Sequence, residues 1–229
     1  MTWIKGHWQL ILIIMCVFAL WQTPVMIPLK ILVVFLHELA HALMTLLTGG
    51  SVISLSVSPQ QGGLVVSAGG NRFLTLTAGY LGSLVIGVAV LLVALRTRAD
   101  QTVMGMFGVL MLVVAALYIR TLFALAFTIG TGLAMLAMAR FLPQQVNDLA
   151  LRVIGLTSMI YVPYDIFSDT IARSALRSDA RMLTEEFGGT TMIWGAIWLV
   201  ISLGVIFWCA RRVLGQRSNI EWGVRGGGG

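Results

Sequence analysis

Apolar segments long enough to cross a lipid bilayer recur along the whole chain. A membrane-spanning helix needs roughly 20 mainly apolar residues, and candidate segments lie at residues 7–22, 25–48, 72–95, 102–119, 121–139, 144–166 and 190–210. Only 10% of the 229 residues are charged, whereas an average soluble domain carries roughly 25%. The sequence therefore predicts an all-α polytopic membrane protein with about six to seven transmembrane helices.

The same composition excludes several other classes of protein. Disorder is excluded because 58% of the residues are hydrophobic and only 10% are charged. A nucleic-acid-binding arm is excluded because the net charge of +6 comes without a basic cluster interleaved with aromatic residues. A disulfide-stapled secreted domain is excluded as well, since the two cysteines, Cys16 and Cys209, lie in apolar runs near opposite ends. Arginines instead mark the ends of the apolar segments, as interfacial residues do.

The two ends of the chain need separate interpretation. The first apolar segment is short and follows Lys5, but no small-residue cleavage site follows Leu20, so we interpret it as a retained anchor or span. The Gly226–Gly229 run is expected to be a flexible tail. Residues 1–225 are then expected to form one integral-membrane domain, whose orientation the arginines do not decide.

Residues 51–68 alternate as a strand does. Ile53, Leu55 and Val57 alternate with serines, a turn follows at 58–63, and an apolar run returns over 64–67. This pattern predicts a β-hairpin between the second and third helices, with a simple interfacial loop as the alternative. Because open sheet edges are not tolerated against lipid, the hairpin is expected to lie at the interface, line a water-filled cavity or pair with another segment.

Two further segments have a structural interpretation. Small residues at 78–87 include Gly79 and Gly87 and favour close helix packing without a catalytic role. The polar stretch 167–189 is typical of a solvated loop or surface helix.

Two of the chain's three histidines lie four residues apart in the second apolar segment. On a helix, His37 and His41 share one face and can bind the same metal ion. Glu38 lies beside them, where it can accept a proton from water. An ionised side chain at bilayer depth costs roughly 2.5–3.5 kcal/mol even on lenient scales, so it marks a functional site by default. The pattern predicts a zinc site.

A catalytic zinc site usually has three protein ligands and one position open to water. Asp165 is the favoured third ligand, because Pro163 just before it can distort the backbone and turn the carboxylate inward. Asp169 is the alternative, either as the ligand or as a hydrogen-bonding partner of one. His7, close to Lys5, is typical of an interfacial histidine.

At these residues the chain resembles the site-2-protease group of intramembrane zinc metalloproteases, especially its M50B-like membrane peptidases. The resemblance rests on His37-Glu38-Leu39-Ala40-His41, the hairpin after it, the Gly-rich stretch 78–82 and a late Pro-x-Asp, and it spans most of residues 25–210. It implies that His37, His41 and Asp165 bind Zn²⁺ and that Glu38 is the general base.

The resemblance also implies hydrolysis of a transmembrane protein substrate within the bilayer of a plasma or inner membrane, with no nucleic-acid partner. A helical substrate must be extended before attack, and the hairpin offers an edge to which it can add as a strand. The candidate substrate contacts are Ile53, Leu55, Val57, Leu64, Val65 and Val66. Two alternatives are a non-proteolytic membrane protein that binds metal or regulates partners and, with less support, a transporter.

Overall fold

The computed structural model describes residues 2–172 and 178–220, so the expected tail at 226–229 lies outside the described part of the chain. The helices are α1 (Thr2–Leu20), a 3₁₀ turn (Pro24–Met26), α2 (Ile27–Leu47), α3 (Arg72–Arg96), α4 (Asp100–Tyr118), α5 (Leu122–Phe141), α6 (Gln144–Phe167) with a π-helical turn (Ser168–Ala172), α7 (Asp179–Phe187) and α8 (Thr191–Leu214). Within the described residues, six helices are long and apolar enough to span a membrane, namely α2, α3, α4, α5, α6 and α8, whereas the apolar part of α1 is shorter. The all-α membrane fold is confirmed.

Helix α3 is central, because it packs against both α2 and α6. Gly87 permits the close approach to α6: a Cβ added there would lie 2.6 Å from the Cβ of Ser158. Gly82 does the same on the α2 side, where the added Cβ would lie 2.7 Å from the Cβ of Ala40. The small residues of α3 therefore let three helices meet at short distance, as their spacing predicts.

The predicted hairpin is present as strands β1 (Ser51–Val57) and β2 (Gly63–Ala68), which pair antiparallel. Gly49, with φ of +83°, ends α2 just before β1. Leu55 and Val57 are buried on the helix side of β1, whereas Ile53, Leu64 and Val66 are exposed. Strand β1 contacts α2, α4 and α5, while β2 contacts α2 and β1. The outer edge of the hairpin is therefore the edge of β2.

The polar stretch after α6 differs from the expectation of a solvated segment. Helix α7 begins at Asp179, with the Ser178 side chain accepting a hydrogen bond from the Arg181 amide at 3.3 Å. Ala180 and Leu183 are fully buried, and Asp179 is only 8% exposed. An i, i+3 apolar face packs this short helix against α3 and α8, and the packing brings its first carboxylate into the interior.

Candidate metal centre

The two motif histidines lie on one face of α2, as their spacing predicts. Their Nε2 atoms are 3.0 Å apart, and the rings meet edge to face at a centroid distance of 4.7 Å. His41 is buried, and His37 is partly buried. Both imidazoles thus direct one nitrogen to the same point.

The third group at this point is the carboxylate of Asp179. Its Oδ2 lies 3.0 Å from His37 Nε2 and 3.1 Å from His41 Nε2, so the three atoms form a nearly equilateral triangle. Burial disfavours the charged carboxylate, but the charge of His41 and the hydrogen bonds with both imidazoles outweigh burial and hold the pKa of Asp179 below its usual value. Asp179 is therefore an anion in this site.

A hydrogen bond at the ring nitrogen farther from the triangle fixes the orientation of the His41 imidazole. Its Nδ1 lies 2.7 Å from the carbonyl oxygen of Thr75, at the start of α3. A carbonyl accepts only, so Nδ1 carries the proton and donates it. In the neutral ring, Nε2 then presents its lone pair to the triangle, which is the arrangement that metal-binding histidines generally adopt.

Gly79 is a further part of the site that the sequence did not single out for chemistry. A Cβ at this position of α3 would lie 2.5 Å from both Cε1 and Nε2 of His41. Tyr80, the next residue, packs its ring edge to face on His37 at a centroid distance of 4.8 Å. The small residue makes room for the histidines, and the large one holds His37 in place.

Glu38 lies beside the triangle and against the hairpin. Its side chain is buried, and a Cβ added to Gly63 of β2 would lie 2.6 Å from its Cγ and 2.7 Å from its Cδ. Strand β2 therefore supports the proposed general base.

His37, Glu38, His41 and Asp179 all face one cavity of about 620 Å³. Its walls come from α2, from β2 with the preceding turn, from the start of α3, from the end of α6 and from the start of α7. Among the hairpin residues expected to contact substrate, Leu64, Val65 and Val66 line the cavity, and Ile53, Leu55 and Val57 are not among its lining residues. The strand beside the site is β2.

The structure places Asp165 and Asp169 differently from the sequence prediction. Both line the cavity, but among the residues that the structure describes, the group whose possible ligand atoms lie within 4.8 Å of one another consists of His37, His41 and Asp179. The Tyr80 hydroxyl donates to Asp169 Oδ2 at 2.6 Å. Helix α6 continues past Pro163 to Phe167 and into a π-helical turn, and the Asp165 carboxylate is not part of the group of ligand atoms.

The sequence prediction did not include Asp179, because the charged residues of the 167–189 stretch are typical of a solvated surface segment. The available signal was the capping serine followed by Ala180 and Leu183, which indicates a short amphipathic helix with Asp179 in its first turn. The third histidine, His7, lies apart from the site. It is buried, with its Nδ1 at 2.7 Å from the Ser218 hydroxyl oxygen.

The residues of the triangle fit a zinc ion. Two imidazole nitrogens and one carboxylate oxygen, at 3.0–3.1 Å from one another, repel unless a proton or a metal ion lies among them. Two histidines and one carboxylate are also a ligand set of catalytic zinc sites, which keep a further position open. The adjoining cavity provides the space for that position.

Comparison with known proteins gives the family of the chain. No curated protein and no solved structure matches it significantly. A family model described as Peptidase M50B-like matches residues 10–209, which is most of the chain and includes the spanning helices, the hairpin and the triangle. The protein therefore belongs to the Peptidase M50B-like family.

Proposed function

We propose that the protein is a zinc-dependent intramembrane peptidase that cleaves a transmembrane protein substrate in the membrane of the cell. The observation that carries the proposal is the triangle of His37, His41 and Asp179 with Glu38 beside it, facing a cavity among helices that can span a membrane. A purely structural zinc site has four closed ligands and needs no base. The combination of three ligands, a base and an adjoining cavity therefore favours hydrolysis.

His37, His41 and Asp179 would hold the zinc ion. The chemistry that zinc supplies in such a site is polarisation of the scissile carbonyl and activation of a water molecule for attack. Glu38 takes the proton from the attacking water and returns it to the amine nitrogen when the carbon–nitrogen bond breaks. Both transfers use the carboxylate that lies against β2.

The substrate is proposed to bind as an extended strand along β2. A transmembrane helix uses its peptide groups in internal hydrogen bonds, so a segment must unwind before it can be cleaved. Strand β2 lines the cavity beside Glu38, and its outer edge can replace the lost hydrogen bonds. Leu64, Val65 and Val66 are therefore the proposed contacts of the hairpin.

Cleavage of a membrane-spanning reporter by the purified protein in liposomes tests the proposal. The wild-type protein with zinc is expected to cleave the reporter, and Glu38→Gln is expected to keep its zinc and lose cleavage by at least roughly 100-fold, the lower range for a general base. Glu185→Gln, an exposed carboxylate on α7 paired with Arg181, is the matched control and should cleave as the wild type does.

The outcomes separate the alternative functions. Full cleavage by Glu38→Gln would contradict the proposed role of Glu38. Zinc binding without cleavage of any reporter by the wild type would favour a regulatory metal protein. Zinc flux across the same liposomes, without cleavage, would favour a transporter.

A further inference from the structure

A basic pocket of about 650 Å³ lies where the carboxyl ends of α3 and α8 meet. Both helices are long and apolar enough to span a membrane, so we expect this pocket at the level of the lipid headgroups. Among the residues that the structure describes, its lining includes three arginines and no carboxylate. The arginines are Arg96 at the end of α3 and Arg211 and Arg212 in the last turn of α8.

Contacts with α8 hold the three guanidinium groups in place. Arg96 donates a hydrogen bond to the main-chain carbonyl of Arg212, which joins the end of α3 to the end of α8. The Arg211 guanidinium lies over the ring of Phe207 at 5.3 Å, and that of Arg212 lies over Trp208 at 5.5 Å. A cation–π contact uses the face of the guanidinium group and leaves its N–H groups free to donate.

The positive charge of the pocket is not neutralised by the protein. Within the described part of the chain, none of its three arginines is in an ion pair, whereas Arg72, Arg152 and Arg181 each pair with a carboxylate. Three like charges in one pocket repel one another, so all three stabilise an anion that enters it. Phosphate is the anion that suits them, because guanidinium groups bind its oxygens through paired N–H donors.

The remaining wall of the pocket is apolar and faces lipid. Leu92, Val93 and Trp208 line it about one turn before the arginines, towards the middle of each helix. Phe207 and Trp208 are 62% and 49% exposed at the end of an apolar helix, and tryptophan at this position is typical of a membrane interface. A soluble phosphate compound would leave the apolar wall uncovered, whereas a phospholipid covers both parts of the pocket.

We propose that the pocket binds one anionic phospholipid, whose phosphate lies among the three arginines and whose acyl chain begins along the apolar wall. Basic pockets between spanning helices are suited to anionic headgroups for this reason. The lipid bridges the ends of α3 and α8. Its binding needs neither zinc nor cleavage, so it goes beyond the proposed function and is tested separately from it.

Native mass spectrometry of the full chain in detergent counts the lipids bound to each protein. The probes are phosphatidylglycerol and phosphatidylcholine with the same acyl chains. One phosphatidylglycerol per chain should bind more tightly than phosphatidylcholine by roughly 100-fold, since each arginine near an anionic lipid contributes about five-fold. Arg211→Gln/Arg212→Gln should lose roughly 25-fold of this preference.

The matched control is Arg98→Gln/Arg140→Gln, which removes the same charge from two exposed arginines outside the pocket lining. Arg140 lies over Phe141 at 5.7 Å, much as Arg211 lies over Phe207. This variant should bind phosphatidylglycerol as the wild type does. Equal losses in the two double variants would show only a general attraction of a positive surface and would overturn the proposal, as would a wild type that binds both lipids equally.

Competition separates a lipid site from a site for soluble phosphate. Inorganic phosphate and glycerol 3-phosphate present the same anion without acyl chains. Neither should displace phosphatidylglycerol at millimolar concentration. Displacement by either one would show that the arginines bind a soluble phosphate compound and would contradict the lipid proposal.

A measurement on the wild-type protein does not depend on the folding of any variant. Phosphatidylglycerol with a photoreactive group at the start of one acyl chain is mixed into liposomes that contain the protein. Its crosslinks should concentrate at residues 92–96 and 208–212. Crosslinks spread evenly over the lipid-exposed helices, α4 and α5 included, would overturn the proposal.

Discussion

Gly79 on α3 lies directly against His41 on α2: a Cβ added to the glycine would lie 2.5 Å from the imidazole Nε2. Real Cβ atoms do not approach this closely, and the ring cannot retreat freely because Thr75 holds its Nδ1. Gly79→Ala is therefore expected to displace His41 from the triangle and to lower the zinc content of the purified protein to well below one per chain.

The matched control is Gly105→Ala on α4. A Cβ added there would lie 3.6 Å from the Cβ of Ala139, an ordinary contact. Replacing a helical glycine by alanine without strain stabilises by roughly 0.4–1 kcal/mol, so this variant should keep both fold and zinc. Zinc at one per chain in Gly79→Ala would show that the close approach does not shape the site.

The identity of the third ligand is open to direct measurement. Asp179→Ala leaves two histidines without the anion and is expected to abolish zinc binding at micromolar zinc, since one of three ligands is lost. Asp165→Ala and Asp169→Ala should keep one zinc per chain, because their carboxylates are not part of the triangle. Metal analysis after gel filtration gives the stoichiometry.

The opposite result for zinc content would identify a carboxylate of α6 as the third zinc ligand. If Asp165→Ala loses zinc while Asp179→Ala keeps it, the sequence prediction is right and the triangle is not the metal site. Folding of each variant is verified by its thermal unfolding in detergent, so that loss of metal is not confused with loss of structure.

Most of the fold follows from the sequence, because lipid imposes a simple rule. Every spanning segment must satisfy its own backbone, so long apolar runs can only be helices, and the alternation at Ile53, Leu55 and Val57 could not fit one. The spacing of His37 and His41 likewise specified a shared face without knowledge of any other helix. Local periodicity was sufficient for all these elements.

The third member of the triangle could not be found in this way. Asp179 reaches the histidines through the packing of α7, a contact between residues about 140 positions apart in the chain. Its neighbours in sequence are polar, whereas its neighbours in space are two imidazoles. Local pattern favoured Asp165 because it ends an apolar segment just after Pro163, whereas the position of Asp179 depends on the tertiary packing of a short helix.

Gly63 on β2 allows a test of Glu38 that leaves the ligands untouched. A Cβ at this position would overlap the Glu38 side chain, so Gly63→Ala should move the carboxylate and lower kcat for reporter cleavage by roughly 100-fold, the scale of a 1 Å misplacement. Zinc content should stay at one per chain. Gly62→Ala, whose Cβ would lie 3.3 Å from the Ser58 hydroxyl oxygen, should have a much smaller effect. Equal losses in the two variants would indicate a general disturbance of the turn.

The docking of α7 is expected to control zinc affinity, because Asp179 is its first residue. Phe73 on α3 contacts Phe187 at the end of α7 and Trp194 on α8, with ring centroids 5.5 and 5.7 Å apart. Such pairs contribute about 0.5–1.5 kcal/mol each, so Phe73→Ala should weaken zinc binding by roughly ten-fold or more. The measurement is competition with a fluorescent zinc chelator.

The matched control is Phe123→Ala, which removes a stacked aromatic pair within α5. Helix α5 contributes none of the described residues that line the cavity, so this variant should bind zinc with unchanged affinity. If both variants bind zinc as the wild type does, the position of Asp179 does not depend on this aromatic contact.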